Sequence, residues 1–332
     1  MMRIVSGIQP TGELHLGNYL GALRHWVALQ AEAECFFMLA DLHAITTPQN
    51  PTELRKRTLD TGALLLAIGI DPERSMFFLQ SRVPQHTELA WVLNCFTTVG
   101  ELRRMVQFKE KSARSAGHEA TAGLFAYPVL QAADILLYQA DRVPIGEDQR
   151  QHLELTRMLA QRFNARYPET FKVPEQLIAP EGARVMDLHD PRKKMSKSIK
   201  STAGLIRLTD SPEVIRSAVA TATTDSGREV RSSPEKPGIS NLITIYSIVA
   251  RASREQAEST FCGKTYADFK TALADRLIEY LRPFRERYEL LRRDGGYVER
   301  ILLEGSYRAQ TTAMRTLARV YERVGFLESP SA

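Results

Sequence analysis

The chain has 332 residues, of which 43% are hydrophobic and 25% are charged, and this balance excludes a disordered protein. Its length exceeds the roughly 250–300 residues at which one hydrophobic core stops growing, so we expect two domains. The cysteines, Cys35, Cys95 and Cys262, are widely separated, which excludes a disulfide framework and a CxxC metal site and favours a reducing cytoplasm. The net charge of +5 permits a polyanionic partner but is too small to identify one.

Apolar runs in the chain are short. None approaches the roughly 18–20 residues that a bilayer span needs. Residues 1–7 carry one positive charge and no long apolar run, which argues against a signal peptide. We therefore expect no membrane segment and a cytoplasmic location.

The first half of the chain alternates β-rich runs with amphipathic stretches, the pattern of a parallel sheet covered by helices. Strands are predicted at residues 4–6, 35–39, 76–79 and 143–145, and helices at 19–30, 52–67 and 151–163. Beyond residue 204 helical patterns dominate, at 212–221, 240–251 and 271–293. The sequence thus predicts an α/β fold followed by a helical second domain. Polar residues at the predicted strand exits, Ser6, Asp41, His43 and Gln80, indicate a nucleotide site at that edge of the sheet.

Residues 10–18, Pro-Thr-Gly-Glu-Leu-His-Leu-Gly-Asn, lead from the first strand into the first helix. Free backbone N–H groups and the helix dipole favour a phosphate there. His15 and Asn18 could donate hydrogen bonds to phosphate oxygens as charge builds on them. The alternative is a turn with a helix cap and a solvated histidine.

Residues 192–200 carry five positive charges and no acid. Within them, Lys-Met-Ser-Lys-Ser at 194–198 supplies mobile ammonium groups and hydroxyls that could close over a triphosphate and follow the leaving pyrophosphate. A solvated surface loop is the alternative.

Together, these two segments resemble the HIGH-type element and the KMSKS loop of class I aminoacyl-tRNA synthetases. Residues 6–10, 40–46, 107–112, 146–149 and 236–241 are similar to bacterial tryptophanyl-tRNA synthetases, so the resemblance runs nearly end to end. It departs at His15, where many of those enzymes have Thr. The resemblance implies a Rossmann-type doubly wound sheet and ATP-dependent attachment of L-tryptophan to tRNA(Trp) through a tryptophanyl-adenylate, with release of pyrophosphate and AMP. It also implies a homodimer and Mg²⁺ that accompanies ATP without a metal site in the protein.

The resemblance also implies a division of the chain. Residues 1–190 would form the catalytic domain that binds ATP and tryptophan, and residues 191–203 the junction with the KMSKS loop. Residues 204–295 would form a helical domain that binds tRNA on the anticodon side, and residues 296–332 a C-terminal helix that packs back on the catalytic domain.

The amino-acid pocket can be argued from residues 127–137. Gln131 and Asp134 share a helix face with Tyr127 in an otherwise apolar segment, and Pro128 suits a first helical turn. A carboxylate there must be solvated or paired, and an indole offers one N–H donor, so Asp134 fits a tryptophan pocket. The alternative is a structural Asp paired with a base such as Arg142. A phenol can also donate to a carboxylate, so the preference for tryptophan over tyrosine rests on the resemblance.

The resemblance assigns the remaining site residues. The catalytic set is His15, Asn18, Lys194 and Lys197. The ATP-binding set is Gln9, Pro10, Thr11, Gly17, Asn18, Lys111, Gly146, Glu147, Asp148, Val185, Lys194, Met195, Ser196, Lys197 and Ser198. The tryptophan-binding set is Val5, His43, Tyr127, Gln131, Asp134 and Gln149.

Several of these residues could instead have a purely structural or solvent-exposed role. Residues 146–149 could be a glycine turn with acidic residues at a helix start. Lys111 could be solvated or could face tRNA. Met186, beside Val185 in a strand that would hydrogen-bond adenine, could be a core residue.

Partners and rival functions complete the prediction. Candidate tRNA contacts are Arg282, Arg285, Arg292, Arg293 and the helix near 308–323, and the alternative is a solvated surface. Residues 91–99 are a candidate dimer interface, or part of the core. The rivals are a tyrosyl-tRNA synthetase and a synthetase-like RNA-binding regulator without activity. Retention of the phosphate-binding residues argues against the regulator.

Overall fold

The structure is a computed structural model that describes residues 1–106, 120–146, 149–178, 184–195, 204–294 and 296–327. Within them, one parallel sheet contains β1 (Arg3–Ile8), β2 (Glu34–Leu39), β3 (Ser75–Leu79), β4 (Arg142–Pro144) and β5 (Glu175–Leu177), in the order β3-β2-β1-β4-β5. Five of the six residues of β2 are buried, as expected for a strand with helices on both faces. The strand order reverses between β1 and β4, and ligands bind at such points in open α/β sheets.

Helices cover both faces of this sheet. After β1 come α1 (Leu16–Asn18), a π-helical turn (Tyr19–Leu23) and α2 (Arg24–Leu29). Then follow α3 (Asp41–Ala44), α4 (Pro51–Ala67), a 3₁₀ turn (Gln80–Arg82), α5 (Gln85–Asn94), α6 (Val99–Arg103), α7 (Ala122–Leu136) and α8 (Arg150–Arg166). α4 begins where Asn50 caps the N–H of Glu53 and Pro51 takes the first helical position, where its missing N–H costs nothing.

The position predicted for Pro128 is wrong. The Thr121 side chain caps the N–H of Leu124, so α7 begins at Ala122 and Pro128 lies inside the helix. A proline there removes one intrahelical hydrogen bond. The helix tolerates this because most of its residues from Leu124 onward are buried against neighbouring elements.

A helical region follows the sheet and contains α9 (Pro212–Ala220), α10 (Pro237–Ala250), α11 (Arg254–Thr260) and α12 (Tyr266–Arg293). α12 starts earlier than predicted because Thr265 and Asp268 form a capping box. One apolar cluster continues from the sheet into this region, and it includes Phe37, Leu242 and Leu277. The predicted α/β class, with a Rossmann-type parallel sheet and a helical region after it, is confirmed.

The last helix, α13 (Tyr297–Val324), lies along β3, the strand at one edge of the sheet. Its backbone approaches so closely that a Cβ atom on Gly305 would clash with the carbonyl oxygen of Phe77. Beside that contact the Ser306 hydroxyl accepts the N–H of Leu79 at 3.1 Å. Of the helices in the described part of the chain, none has an apolar stretch long enough to cross a membrane.

Candidate active site at the carboxyl edge of the sheet

A cavity of about 390 Å³ opens at the carboxyl ends of β1 and β4, where the strand order reverses. Its walls contain all six residues that were predicted to bind tryptophan: Val5, His43, Tyr127, Gln131, Asp134 and Gln149. Apolar side chains, among them Met38, Ile135 and Val143, separate these polar groups. The cavity therefore combines apolar walls with a few fixed polar groups, as small-molecule binding sites commonly do.

Asp134 is fully buried in this wall and is held by three side chains. Its Oδ2 accepts from His43 Nε2 at 2.8 Å and its Oδ1 accepts from His86 Nδ1 at 2.6 Å. Gln80 Nε2 lies between them, at 2.8 and 2.9 Å from the two oxygens. The pairing of Asp134 with Arg142, considered from the sequence, is wrong. The guanidinium of Arg142 lies 3.7 Å from the carboxylate of Glu175 instead.

These contacts decide the charge of Asp134. Burial by itself would raise the pKa of the carboxyl group. The hydrogen bond from His43, together with the attraction and hydrogen bond of His86, outweighs burial and holds the pKa of Asp134 below its usual range. The buried group is therefore an ionised carboxylate at neutral pH, and it can only accept hydrogen bonds.

His86 connects Asp134 to a second buried group. Its Nε2 lies 2.8 Å from the hydroxyl of Tyr138, and both side chains are completely buried. Burial and the charge of Asp134 raise the pKa of Tyr138, so its hydroxyl stays protonated. His86 thus donates to Asp134 from Nδ1, and the Tyr138 hydroxyl holds its ring from the Nε2 side. His86 had no role in the sequence analysis, because a single histidine on α5 forms no pattern with its neighbours in the chain.

Two contacts position the polar groups at the opposite side of the cavity. The Tyr127 hydroxyl lies 2.9 Å from His152 Nε2, and Gln131 Nε2 donates to Gln149 Oε1 at 3.3 Å. Burial raises the pKa of Tyr127 to about 12, so the phenol remains a hydrogen-bond donor at neutral pH. His152 is a second histidine whose role was missed.

The first motif forms the helix cap that was considered as an alternative. His15 Nδ1 accepts the N–H of Asn18 at 3.3 Å, and Asn18 Oδ1 accepts the N–H of His15 at 3.2 Å. This box assigns the ring proton of His15 to Nε2, and it leaves Nδ2 of Asn18, which lines the cavity, as a donor for a ligand. At the start of this helix, where free N–H groups were expected, the N–H of Leu16 donates to the carbonyl of Ile206 at 2.8 Å. His15 itself is buried and is not part of the cavity wall.

The start of the second motif packs directly on the first. The N–H of Met195 donates to the Val185 carbonyl at 3.1 Å, and Met195 is buried. A Cβ atom on Gly17 would lie 3.2 Å from Met195 Cβ and 3.1 Å from His15 Nδ1. Only glycine fits without displacing these neighbours, so Gly17 permits the two motifs to touch. Lys194 lies beside this contact with its side chain exposed.

Asn241 on α10 holds the backbone just before this motif. Its Oδ1 accepts the N–H of Met186 at 2.9 Å, and its Nδ2 donates to the Met186 carbonyl at 3.0 Å. Sequence reasoning noted Asn241 only as part of a resembling stretch. The structure adds a physical role, because one buried amide links the helical region to the segment that leads into the second motif.

The predicted ATP-binding residues fall into four groups. Gln9, Asn18 and Gly146 line the cavity. Gly17, Val185, Lys194 and Met195 lie at or beside the contact between the two motifs, and Pro10 and Thr11 lie in the loop after β1, outside the cavity wall. The predicted residues Lys111, Glu147, Asp148, Ser196, Lys197 and Ser198 lie outside the described residues. In the part of the chain that is described, no group of three or more His, Cys, Asp or Glu side chains is arranged to hold a metal ion.

Comparison with known proteins gives a consistent result. Residues 1–282 match the family model of the class I tRNA synthetases for W and Y. A curated tryptophan–tRNA ligase 2 of Streptomyces avermitilis is 52% identical over 327 residues, which cover 98% of this chain and 97% of that protein.

Solved structures agree with the sequence relatives. The tryptophanyl-tRNA synthetase of Mycoplasma pneumoniae is 38% identical with a TM-score of 0.89, and 98% of each chain is covered. That of Campylobacter jejuni, in complex with ADP and tryptophan, is 33% identical with a TM-score of 0.86 over 98% of this chain and 100% of its own. The predicted resemblance to bacterial tryptophanyl-tRNA synthetases is confirmed. The chain belongs to the class I tRNA synthetases, in the group of the tryptophan and tyrosine enzymes.

Proposed function

We propose that this chain is a tryptophan–tRNA ligase that forms tryptophanyl-adenylate from L-tryptophan and ATP and then charges tRNA(Trp). The observation that carries the proposal is Asp134, an ionised acceptor in the wall of an otherwise largely apolar cavity. Because an indole has one N–H donor and no acceptor, one such carboxylate satisfies all of its hydrogen bonding. Relatives named tryptophan–tRNA ligase, about half identical over nearly the whole chain, support the same amino acid.

The chemistry needs no covalent intermediate with the protein. The tryptophan carboxylate would attack the α-phosphorus of ATP in line, and the bond to the bridging oxygen would break as pyrophosphate leaves with the electron pair. A ribose hydroxyl of tRNA would then attack the activated carbonyl, lose its proton, and release AMP. Mg²⁺ would arrive with ATP as part of that substrate and neutralise the leaving group.

The protein would contribute position and charge. The capping box with His15 orients Asn18, whose Nδ2 would donate to the phosphates, and Lys194 and Lys197 would supply mobile positive charge to them. Tyr127 and Gln149 line the cavity, where they would orient the polar end of the amino acid.

ATP–pyrophosphate exchange over a panel of amino acids tests the proposal. We expect exchange with tryptophan and little with tyrosine or phenylalanine. Equal exchange with tyrosine would favour the tyrosine enzyme, and exchange with no amino acid would favour the inactive RNA-binding regulator. Charging of tRNA(Trp) transcripts with labelled tryptophan tests the second step.

We also propose the domain division. Residues 1–190 form the catalytic domain, residues 191–203 form its junction with the helical region, residues 204–295 contact tRNA, and residues 296–332 pack back on the catalytic domain. On α12, Arg282 and Arg293 are exposed and remain the candidate tRNA contacts. Arg285 donates to the Asp210 carbonyl at 3.0 Å and Arg292 lies 2.8 Å from Asp60, so these two have structural partners. Reversing the charge of Arg282 should raise the KM for tRNA and leave pyrophosphate exchange unchanged.

A homodimer in the cytoplasm completes the proposal. Trp91 and Val99, on the predicted interface, are 69% and 56% exposed, and a groove of about 820 Å³ between Trp91, Tyr167 and Phe326 adjoins them. A second copy of the chain would remove this apolar surface from water. Sedimentation should show a dimer that Trp91→Glu dissociates. Cys95 and Cys262 are exposed free thiols, which suits a reducing compartment.

A further inference from the structure

The hydrogen-bonding capacity of Asp134 is already used within the protein. An ionised carboxylate offers about four lone-pair positions. His43 and His86 each supply one contact, and Gln80 supplies one to each oxygen, so four contacts of 2.6–2.9 Å surround the group. A fifth donor, such as an indole N–H, needs one of these contacts to be released.

The three donors differ in how readily they can move. Gln80 and His86 are completely buried and are not part of the cavity wall, and His86 is also held by Tyr138 on its far side. His43 lines the cavity, and its side chain is 7% exposed. It lies on the four-residue helix α3, with its ring edge-on to Tyr127 at 6.1 Å. His43 is therefore the one donor of the three that has space to leave.

We infer that His43 fills the substrate's hydrogen-bond position in the free protein, and that the indole N–H of tryptophan displaces it from Oδ2 of Asp134. Gln80 and His86 stay in place as positioning residues that hold the carboxylate ready to accept. This inference rests on the proposed tryptophan site. It adds the identity of the group that leaves and of the two that remain.

The exchange has a consequence for specificity. A substrate with an N–H replaces one hydrogen bond by another, so the buried carboxylate keeps all four contacts. A side chain of the same shape without an N–H, such as benzothiophene, displaces His43 without replacing its hydrogen bond. A buried acceptor that loses its partner is costly, so such a substrate is disfavoured. His43 therefore competes with the substrate for the hydrogen bond to Asp134. Only a substrate with an N–H at that position can displace His43 without leaving the carboxylate short of one hydrogen bond.

Proton NMR of the full chain with ¹⁵N-labelled histidine tests the displacement. The Nε2–H proton of His43 should give a low-field resonance in the free protein, assigned by its absence in His43→Phe. Saturating tryptophan should move or abolish this resonance while the Nδ1–H resonance of His86 persists. An exposed histidine, His189, provides the matched control, since its replacement by Phe should leave both resonances in place.

Tryptophan binding by calorimetry supplies the second readout. His43→Phe cannot donate to Asp134, so tryptophan no longer has to break that contact, and its dissociation constant should fall about five- to tenfold, the equivalent of one ordinary hydrogen bond. His43→Gln keeps a donor and should stay within about twofold of the unmutated protein. If His43→Phe does not fold, His43→Gln assigns the His43 resonance by its absence. The response of that resonance to tryptophan in the unmutated protein then tests the displacement.

The outcomes separate the two proposals. Tryptophan binding with an unchanged His43 resonance would overturn the displacement and leave the proposed function intact. Absence of tryptophan binding would overturn both. Weaker binding by His43→Phe would show that the ring supports the substrate rather than competing with it.

Discussion

Asp134→Asn is the substitution that probes the site most directly. It keeps the shape of the side chain and replaces one acceptor oxygen by an NH₂ group. At Oδ1 the new amide would face His86, which is fixed by Tyr138, so it should take the Oδ2 position toward His43 and the cavity. At that position the asparagine loses the charge-assisted hydrogen bond from His43, which contributes about 1.5–3 kcal/mol to the stability of the folded protein.

The same orientation sets the effect on the substrate. The indole N–H would meet an N–H in place of a carboxylate oxygen, at a loss of about 2–3 kcal/mol of tryptophan binding. The KM for tryptophan should therefore rise about 30- to 150-fold. Neither the KM for ATP nor kcat should change by more than about threefold, because Asp134 has no part in the phosphate contacts.

Pyrophosphate exchange at saturating ATP with varied tryptophan measures these values, and urea unfolding measures stability. Asp141→Asn is the matched control, because Asp141 accepts from Lys172 and from the N–H of Arg3, both at 2.7 Å, just before the start of β4, away from the cavity. It should lower the free energy of unfolding without raising the KM for tryptophan. A folded Asp134→Asn protein with an unchanged KM would refute the role given to Asp134.

Three further predictions concern the frame around the site. Gly305→Ala should lower the free energy of unfolding by about 2–4 kcal/mol in urea, because the new Cβ meets the backbone of β3. Gly123→Ala on α7, where the new Cβ comes no closer than 3.9 Å to a neighbour, should change it by less than about 1 kcal/mol. Asn241→Ala should raise the KM for ATP about five- to tenfold in pyrophosphate exchange and leave the KM for tryptophan unchanged, since two hydrogen bonds to Met186 are lost. A hydrogen bond from Arg162 lowers the pKa of Glu101 from its ordinary 4.5 to about 2. The ionised Glu101 therefore stabilises the folded protein fully above pH 4.5, and this stabilisation is lost as the pH falls toward 2. Glu101→Gln should therefore destabilise the protein at pH 7, by about 1–2 kcal/mol after screening by solvent, and the difference from the unmutated protein should shrink across that window.

The sequence predicted the sheet well because its signal is local. Buried parallel strands appear as short runs of apolar and β-branched residues, and β2 at Glu34–Leu39 matches the predicted run within one residue. Helix starts were less certain, because a cap depends on a few atoms. Thr121 and Thr265 each cap a helix that begins several residues before the start predicted from the sequence.

The side chains of the cavity could also be selected in advance. A carboxylate on an apolar helix, polar residues at strand exits and two phosphate-type motifs are visible in the amino-acid order, and all six residues expected around tryptophan line one cavity. The resemblance to a known family made this selection specific, since the chemistry of Asp134 alone would also admit a phenol.

What the tertiary structure alone decided is how those groups are held. The donors to Asp134 come from 91, 54 and 48 residues away in the chain, and Asn241 reaches Met186 across 55 residues. His86 carries no pattern in the sequence, because a hydrogen-bond partner is chosen by distance in space, and that distance follows from the order of the strands and the packing of α5 against α7. The amino-acid order therefore determined which chemical groups are present and which elements carry them. The fold decided that Asp134 is fully paired, that His43 lines the cavity, and that His86 does not.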